Sequence, residues 1–301
     1  MFISNHFYLE VILLASIAIV IRVLSNPISN VYQKRLSKNG HHPLFINFLS
    51  YLGLSTINVL VAFNVSWPLV TPKFWIYSTL VGITGACGNG FLVNALQKGE
   101  LSVLGPINAY KSVVGLVIGV ILLNELPNFW GVLGTMFIIG GSYFVLNTTE
   151  EKFSWLLLKR KEIQFRIWAM ILTAIEAVFL KKVILASNVT VAFFSWCWFG
   201  TVFSFILLLI NKINVVVEVK QTTKNDLGKY LVLIFCIGSM QLTTNYVFAQ
   251  MAVGYALALF QLSVIVSVFF GYRFFNEQNM KKKLIGSVIM LVGSVLIILL
   301  K

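Results

Sequence analysis

The sequence predicts an all-α integral membrane protein of ten transmembrane helices, arranged as two inverted five-helix repeats. Three observations carry that expectation. Of the 301 residues, 58% are hydrophobic and only 11% are charged, where a soluble domain averages about 45–50% and 25%. Ten apolar stretches each approach the roughly 20 residues that a membrane-crossing helix needs. The fourth and fifth of these stretches resemble the ninth and tenth. The composition excludes a disordered chain, a nucleic-acid-binding module and an ordinary soluble enzyme, because the excess apolar surface must face lipid.

The stretches run Phe7–Ile28, Leu44–Asn64, Phe74–Leu96, Ser102–Leu123, Phe129–Leu146, Arg166–Ala186, Val191–Ile210, Tyr230–Met251, Ala256–Phe275 and Lys283–Leu300. The first lacks a basic start and a small-residue cleavage site, so it reads as a span rather than a cleavable signal peptide. Small residues stud the third, "GITGACGNG", with Gly82, Ala86 and Gly90 at i, i+4, i+8, which lets helix backbones approach closely. The seventh carries "SWCWF", whose Trp196 and Trp198 suit an interfacial belt or lipid contact, with stacking on a substrate ring as the other reading. The longest connectors, Asn147–Phe165 and Asn211–Lys229, are polar and basic, and no room is left for a soluble domain. Cys87, Cys197 and Cys236 fall within spans and read as small buried hydrophobes.

The chain carries 23 Lys+Arg against 10 Asp+Glu, a net charge of +13. Seventeen of those cations, Lys34, Arg166 and Lys283 among them, fall in or beside connectors after odd-numbered spans, and four fall on the other side. The positive-inside rule then places the odd connectors in the cytoplasm and both termini outside. Arg22 and Lys111 lie within spans.

"GPINAYKSVVGLVIGVILLNE" aligns without a gap on "LALFQLSVIVSVFFGYRFFNE", pairing Lys111 with Ser263, Gly115 with Ser267, Gly119 with Gly271 and Asn124-Glu125 with Asn276-Glu277. Three extra residues later, Gly131 pairs with Gly286, and "VYQKRL" and "VFLKKV" close the first and sixth stretches. The expected division is 1–148 for the first repeat, 149–165 for a basic loop and 166–301 for the second repeat. Five spans per repeat force opposite orientations, and inverted repeats commonly build secondary transporters with a substrate site near the midplane.

On the residues "LLNELPNFWGVLGTMFIIGG" and "FFNEQNMKKKLIGSVIMLVG", the chain resembles the EamA family of the drug/metabolite transporter superfamily. The resemblance covers nearly the whole chain, though its motifs are loose. It implies transport without naming a substrate. Family members often carry Pro about fourteen residues before the shared Glu, where Lys111 and Ser263 stand here. They are also commonly described with both termini cytoplasmic, opposite to the cation count.

Charge inside hydrocarbon is costly and usually faces a cavity or a partner. Lys111 sits about ten residues into the fourth span, too deep to snorkel easily, beside Asn108 and Tyr110, with Gln261 and Ser263 at the equivalent place in the second half. It reads either as an ammonium binding an anionic group or as half of a structural ion pair. Glu176, in "ILTAIEAVFLKK", reads as charge balance or proton coupling, or as a permanent partner for Lys111 or Arg22. Asn89 on the third span, and Gln241 and Asn245 at i, i+4 on the eighth, are candidates for a polar lining.

His41-His42 lack metal-site companions and read as a solvated loop. The triplets at Asn64, Asn147 and Asn188 match glycosylation acceptors that short polar loops produce by chance. No catalytic constellation, bound cofactor, metal or nucleic-acid partner is expected.

The expected protein moves a small anionic or zwitterionic metabolite by alternating access, driven by a proton or substrate gradient, in a lipid bilayer such as the bacterial plasma membrane. A nucleotide-sugar or lipid-linked sugar carrier, and a non-transporting scaffold subunit, stay open as alternatives.

Overall fold

A computed structural model describes residues 2–63, 65, 67–111, 113, 114, 128–148, 156–251 and 253–299, with their side chains except at 2–12, 255, 258 and 297–299. All regular structure among these residues is helical. The elements are α1 (Phe2–Lys38), α2 (Pro43–Ala62), α3 (Pro72–Lys98), α4 (Leu101–Ile107), α5 (Phe129–Leu146), a 3-10 turn (Leu157–Lys159), α6 (Lys161–Leu185), α7 (Val189–Ile210), α8 (Val215–Lys220), α9 (Lys224–Gln250), α10 (Val253–Phe260), α11 (Ser263–Phe275) and α12 (Met280–Leu299). Six stretches, Leu13–Lys38 of α1 together with α2, α3, α5, α7 and α9, are long and apolar enough to cross a membrane. Leu60, Phe129 and Phe235 stand exposed on outer faces, as lipid contact requires.

Local chemistry sets the helix starts. The Asn128 side chain accepts from Gly131 N–H and that of Asn188 from Val191 N–H, each at 2.8 Å. Thr223 and Asp226 form a reciprocal capping box at the start of α9. Asn188 is therefore a helix cap. The glycosylation triplet at Asn64 and the Asn124-Glu125, Gly115 and Gly119 positions of the repeat alignment lie outside the described residues, as does the Glu10 side chain.

The fourth and ninth stretches are not the continuous helices expected. In the first, Asn108 N–H bonds Gly105 O and Ala109 N–H bonds Pro106 O, at i−3 rather than i−4. In the second, Leu262 N–H bonds Leu259 O and Val264 N–H bonds Gln261 O in the same tightened pattern. Such a 3-10 stretch within a helix marks a local break. The two breaks meet, because Gln261 Nε2 donates to Asn108 O at 3.3 Å.

Packing runs between the halves more than within them. The first helix of each half lies on the third of the other, α1 on α9 and α3 on α6, while α2 packs on α7, α4 on α11 and α5 on α12. The fifth helices are antiparallel: a Cβ placed at Gly141 would meet Gly286 O at 2.7 Å, and one at Gly293 would meet Gly134 O at 2.5 Å. Likewise Gly105 faces Ser267 while Gly271 faces Ser102, so α4 and α11 also run antiparallel. This reciprocity is that of two halves related by a two-fold axis.

Contacts gather the odd-numbered connectors at one end. Asn39 donates to Asp226 at 2.6 Å, His41 meets Glu218 at 3.3 Å, and Lys34 pairs with Glu277 at 2.9 Å. Three cations expected in solvated connectors are buried instead: Lys34 at 4%, Arg166 at 8% and Lys283 at 1% exposure. Each has an acceptor, since Lys34 also donates to Gly99 O, Arg166 to Leu104 O, and Lys283 pairs with Glu100. His41 is likewise buried between Glu218 and Asp226 against the Tyr230 ring, not solvated.

Glu277 is the hub of that end. Its Oε1 accepts from Lys34 Nζ and, at 2.8 Å, from Leu101 N–H, and its Oε2 accepts from Ser102 N–H at 2.9 Å and from the Ser102 hydroxyl. A carboxylate from the α11–α12 connector thus caps the start of α4. Burial raises the Glu277 carboxyl, but the Lys34 ammonium and the Ser102 donors outweigh it and hold the group below its ordinary value.

Candidate functional site

A polar cavity of about 110 Å³ lies between the halves, lined by α1, α3 and the break after α4 from the first and by α6, α7, α9 and α10 from the second. Six of the residues singled out in the sequence converge on it: Arg22, Asn89, Asn108, Lys111, Glu176 and Gln241. Arg22 Nε donates to Thr244 Oγ1 at 2.8 Å, and its guanidinium lies 4.9 Å from the Phe260 ring centroid. Its Nη1 is buried without a partner among the described residues. Asn89 Nδ2 donates to the Tyr51 hydroxyl at 2.8 Å.

Glu176 is not paired with Lys111 or Arg22 as one reading of the sequence expected. Trp196 Nε1 donates to Glu176 Oε1 at 2.6 Å, and the Tyr51 ring packs against Trp196 at a tilt of 51°, with ring centroids 4.6 Å apart. Trp196 is 2% exposed, which overturns its assignment to an interfacial belt; Trp198 stacks on Trp67 instead. Gly85 makes this possible, since a Cβ there would sit 2.7 Å from Glu176 Oε1.

Four of the singled-out residues do not line the cavity. The Tyr110 hydroxyl donates to Ser142 at 2.7 Å, and the ring lines a separate apolar cleft with Ile107 and Ile167. Asn245 is fully buried behind Gln241, their amides 3.0 Å apart. Gln261 joins the two helix breaks, and Ser263 is buried in the packing of α11, its carbonyl accepting from Ser267. For the first three, a neighbour in sequence lines the cavity instead (Lys111, Thr244 and Phe260), a distinction that adjacency in sequence cannot make.

Among the lining residues that escaped the sequence are Arg166, Asn26 and Asn30. Arg166 was counted with the connector cations, yet with Ala169, Thr173, Glu176 and Leu180 it forms one helical face of α6 on the cavity. Its Nε donates at 2.7 Å to Leu104 O, the carbonyl that the break after α4 leaves without its i+4 donor. Asn26 and Asn30 continue Arg22 at i+4 and i+8, so that spacing was the available signal. The stripe runs on to Gln33 beside Asn47 and Ser50 in an adjoining polar cavity of about 20 Å³.

The family model of EamA-like transporters matches residues 13–147 and again 160–299. No curated protein matches the chain. Twenty-five chains among solved structures do match. One, described only as the crystal structure of a protein, superposes with a TM-score of 0.63 at 10% identity, covering 95% of this chain and 96% of its own. That likeness concerns the fold.

Proposed function

This chain belongs to the EamA-like transporter family, and from that premise we propose that it carries a small anionic or zwitterionic metabolite across the membrane by alternating access. The protein is a multi-pass integral membrane protein of two-repeat architecture. In this reading ten spans, five in each of the segments 1–148 and 166–301, rock around the central cavity. The bacterial plasma membrane is its proposed home.

The observation that carries the reading is the cavity itself. It lies where the two halves meet, at the facing breaks of their fourth helices, and it holds charged side chains that no lipid-facing position would tolerate. Interrupted helices at a repeat interface suit this task, because freed backbone groups and polar side chains offer a ligand both donors and acceptors. Lys111 and Arg22 would hold the anionic group, while Asn89, Asn108 and Gln241 orient the rest of the molecule. Glu176 would balance that charge or take up a proton during the cycle. Motion of one half against the other would need the contacts at the basic end, centred on Glu277, to open and re-form.

Uptake by the full chain in proteoliposomes, across a panel of anionic and zwitterionic metabolites, tests this. Transport above empty liposomes is expected for an anionic member, with Lys111→Ala reducing it about 30-fold or more, the loss typical of a truncated charge contact. An unchanged rate in that variant would sink the site.

A further inference from the structure

The charges lining the central cavity do not balance. Arg22, Lys111 and Arg166 face a single carboxylate, Glu176, among the described lining residues. Glu176 already accepts from Trp196, and Arg22 Nη1 is buried with no partner among the described residues. The excess is two positive charges, and protonation of Glu176 would enlarge it.

A buried charge without a counter-charge is strongly unfavourable, so a site of this kind is complete only with its anion. A monoanion leaves one charge uncompensated. A zwitterion leaves two and brings its own ammonium against three cations, with one carboxylate to receive it. A doubly charged anion closes the balance. Guanidinium groups suit such a ligand, because their planar forks match carboxylate and phosphate oxygens in pairs.

We propose that the cavity binds a small organic dianion, a phosphate monoester or a dicarboxylate, and that Arg166 is a binding residue alongside Arg22 and Lys111. This rests on the transport reading and narrows its substrate class. Arg166 is well placed for the role: its bond to Leu104 O holds the guanidinium stem against the break of α4, beside Asn108. One arm of the cavity from each half then grips the same ligand, Lys111 from the first and Arg166 from the second.

Calorimetric titration of the purified full chain in detergent separates binding from transport. The probes are glycerol 3-phosphate, succinate, lactate and alanine at neutral pH. Glycerol 3-phosphate or succinate is expected to bind at least about tenfold tighter than lactate, about 1.4 kcal/mol, and alanine to give no heat. Arg166→Gln should weaken the dianion about 30-fold, and Arg166→Lys should restore part of the loss. Lys111→Gln, at a side chain with no hydrogen bond among the described residues, gives the same readout should Arg166→Gln fail to fold. Lactate or alanine binding as tightly as both dianions, or no weakening in these variants, would overturn the assignment while leaving the transport reading intact. A dianion that binds with the expected pattern but does not cross proteoliposomes would instead count against transport.

Discussion

Among the described residues Trp196 is the hydrogen-bond donor to the Glu176 carboxylate, and the Tyr51 ring packs against the Trp196 ring. Replacing it, Trp196→Phe, keeps most of the packing but leaves Glu176 Oε1 without its hydrogen bond. A loss of about 1–3 kcal/mol is expected, the desolvation penalty of a buried orphaned acceptor, measured by thermal unfolding in detergent. Glu277 offers a pH test. Its native value lies below the unfolded one, so its stabilisation is complete above the ordinary glutamate value of about 4.3 and fades as pH falls through the depressed native value. Thermal stability of the wild type should therefore decline more steeply below about pH 4.3 than that of Glu277→Gln; parallel curves would contradict the capping role. Lys111 and Glu176 were legible because each is a lone charge in an apolar run. Arg166 and Trp196 were not, since a cation near a helix end and an aromatic in a span both have commoner explanations.

At the scale of the element, boundaries of the uninterrupted helices were largely readable, and α5 coincides with its expected range Phe129–Leu146. The breaks after α4 and after α10 were not. The first follows Gly105-Pro106, where proline has no N–H to give and disfavours a continuous helix, a signal that the apolar run masked; the second runs through Phe260, Gln261 and Leu262, which carry no such signal. The glycines of α5 and α12 entered the sequence reading only through the repeat and the family resemblance, with no packing partner named. The partner is backbone: Gly141 and Gly286 each leave the other's carbonyl no room for a Cβ. Gly286→Ala should cost about 1–3 kcal/mol through overpacking, whereas Gly140→Ala, with open space at the Cβ, should be near neutral. Equal unfolding temperatures for the two variants would refute the contact.

For the whole molecule, the odd connectors meet at one end, so the basic residues that remain solvated there, such as Arg35, Lys38, Lys220 and Lys224, share one side. The positive-inside rule expects that side to be cytoplasmic, and a reporter fused at Val189, at the other end, is then expected to be non-cytoplasmic. A cytoplasmic Val189 would reverse the orientation. The sequence by itself determined the class of protein, its internal duplication and which single charges stand in apolar surroundings, because hydrocarbon penalises polar groups residue by residue. Only the tertiary structure decided which charges are spent on one another and which share the cavity. Lys34 finds Glu277 243 residues away, and Arg22 finds Thr244 222 residues away. Pairings at such separation follow from the two-fold packing of the halves, which no local pattern in the chain encodes.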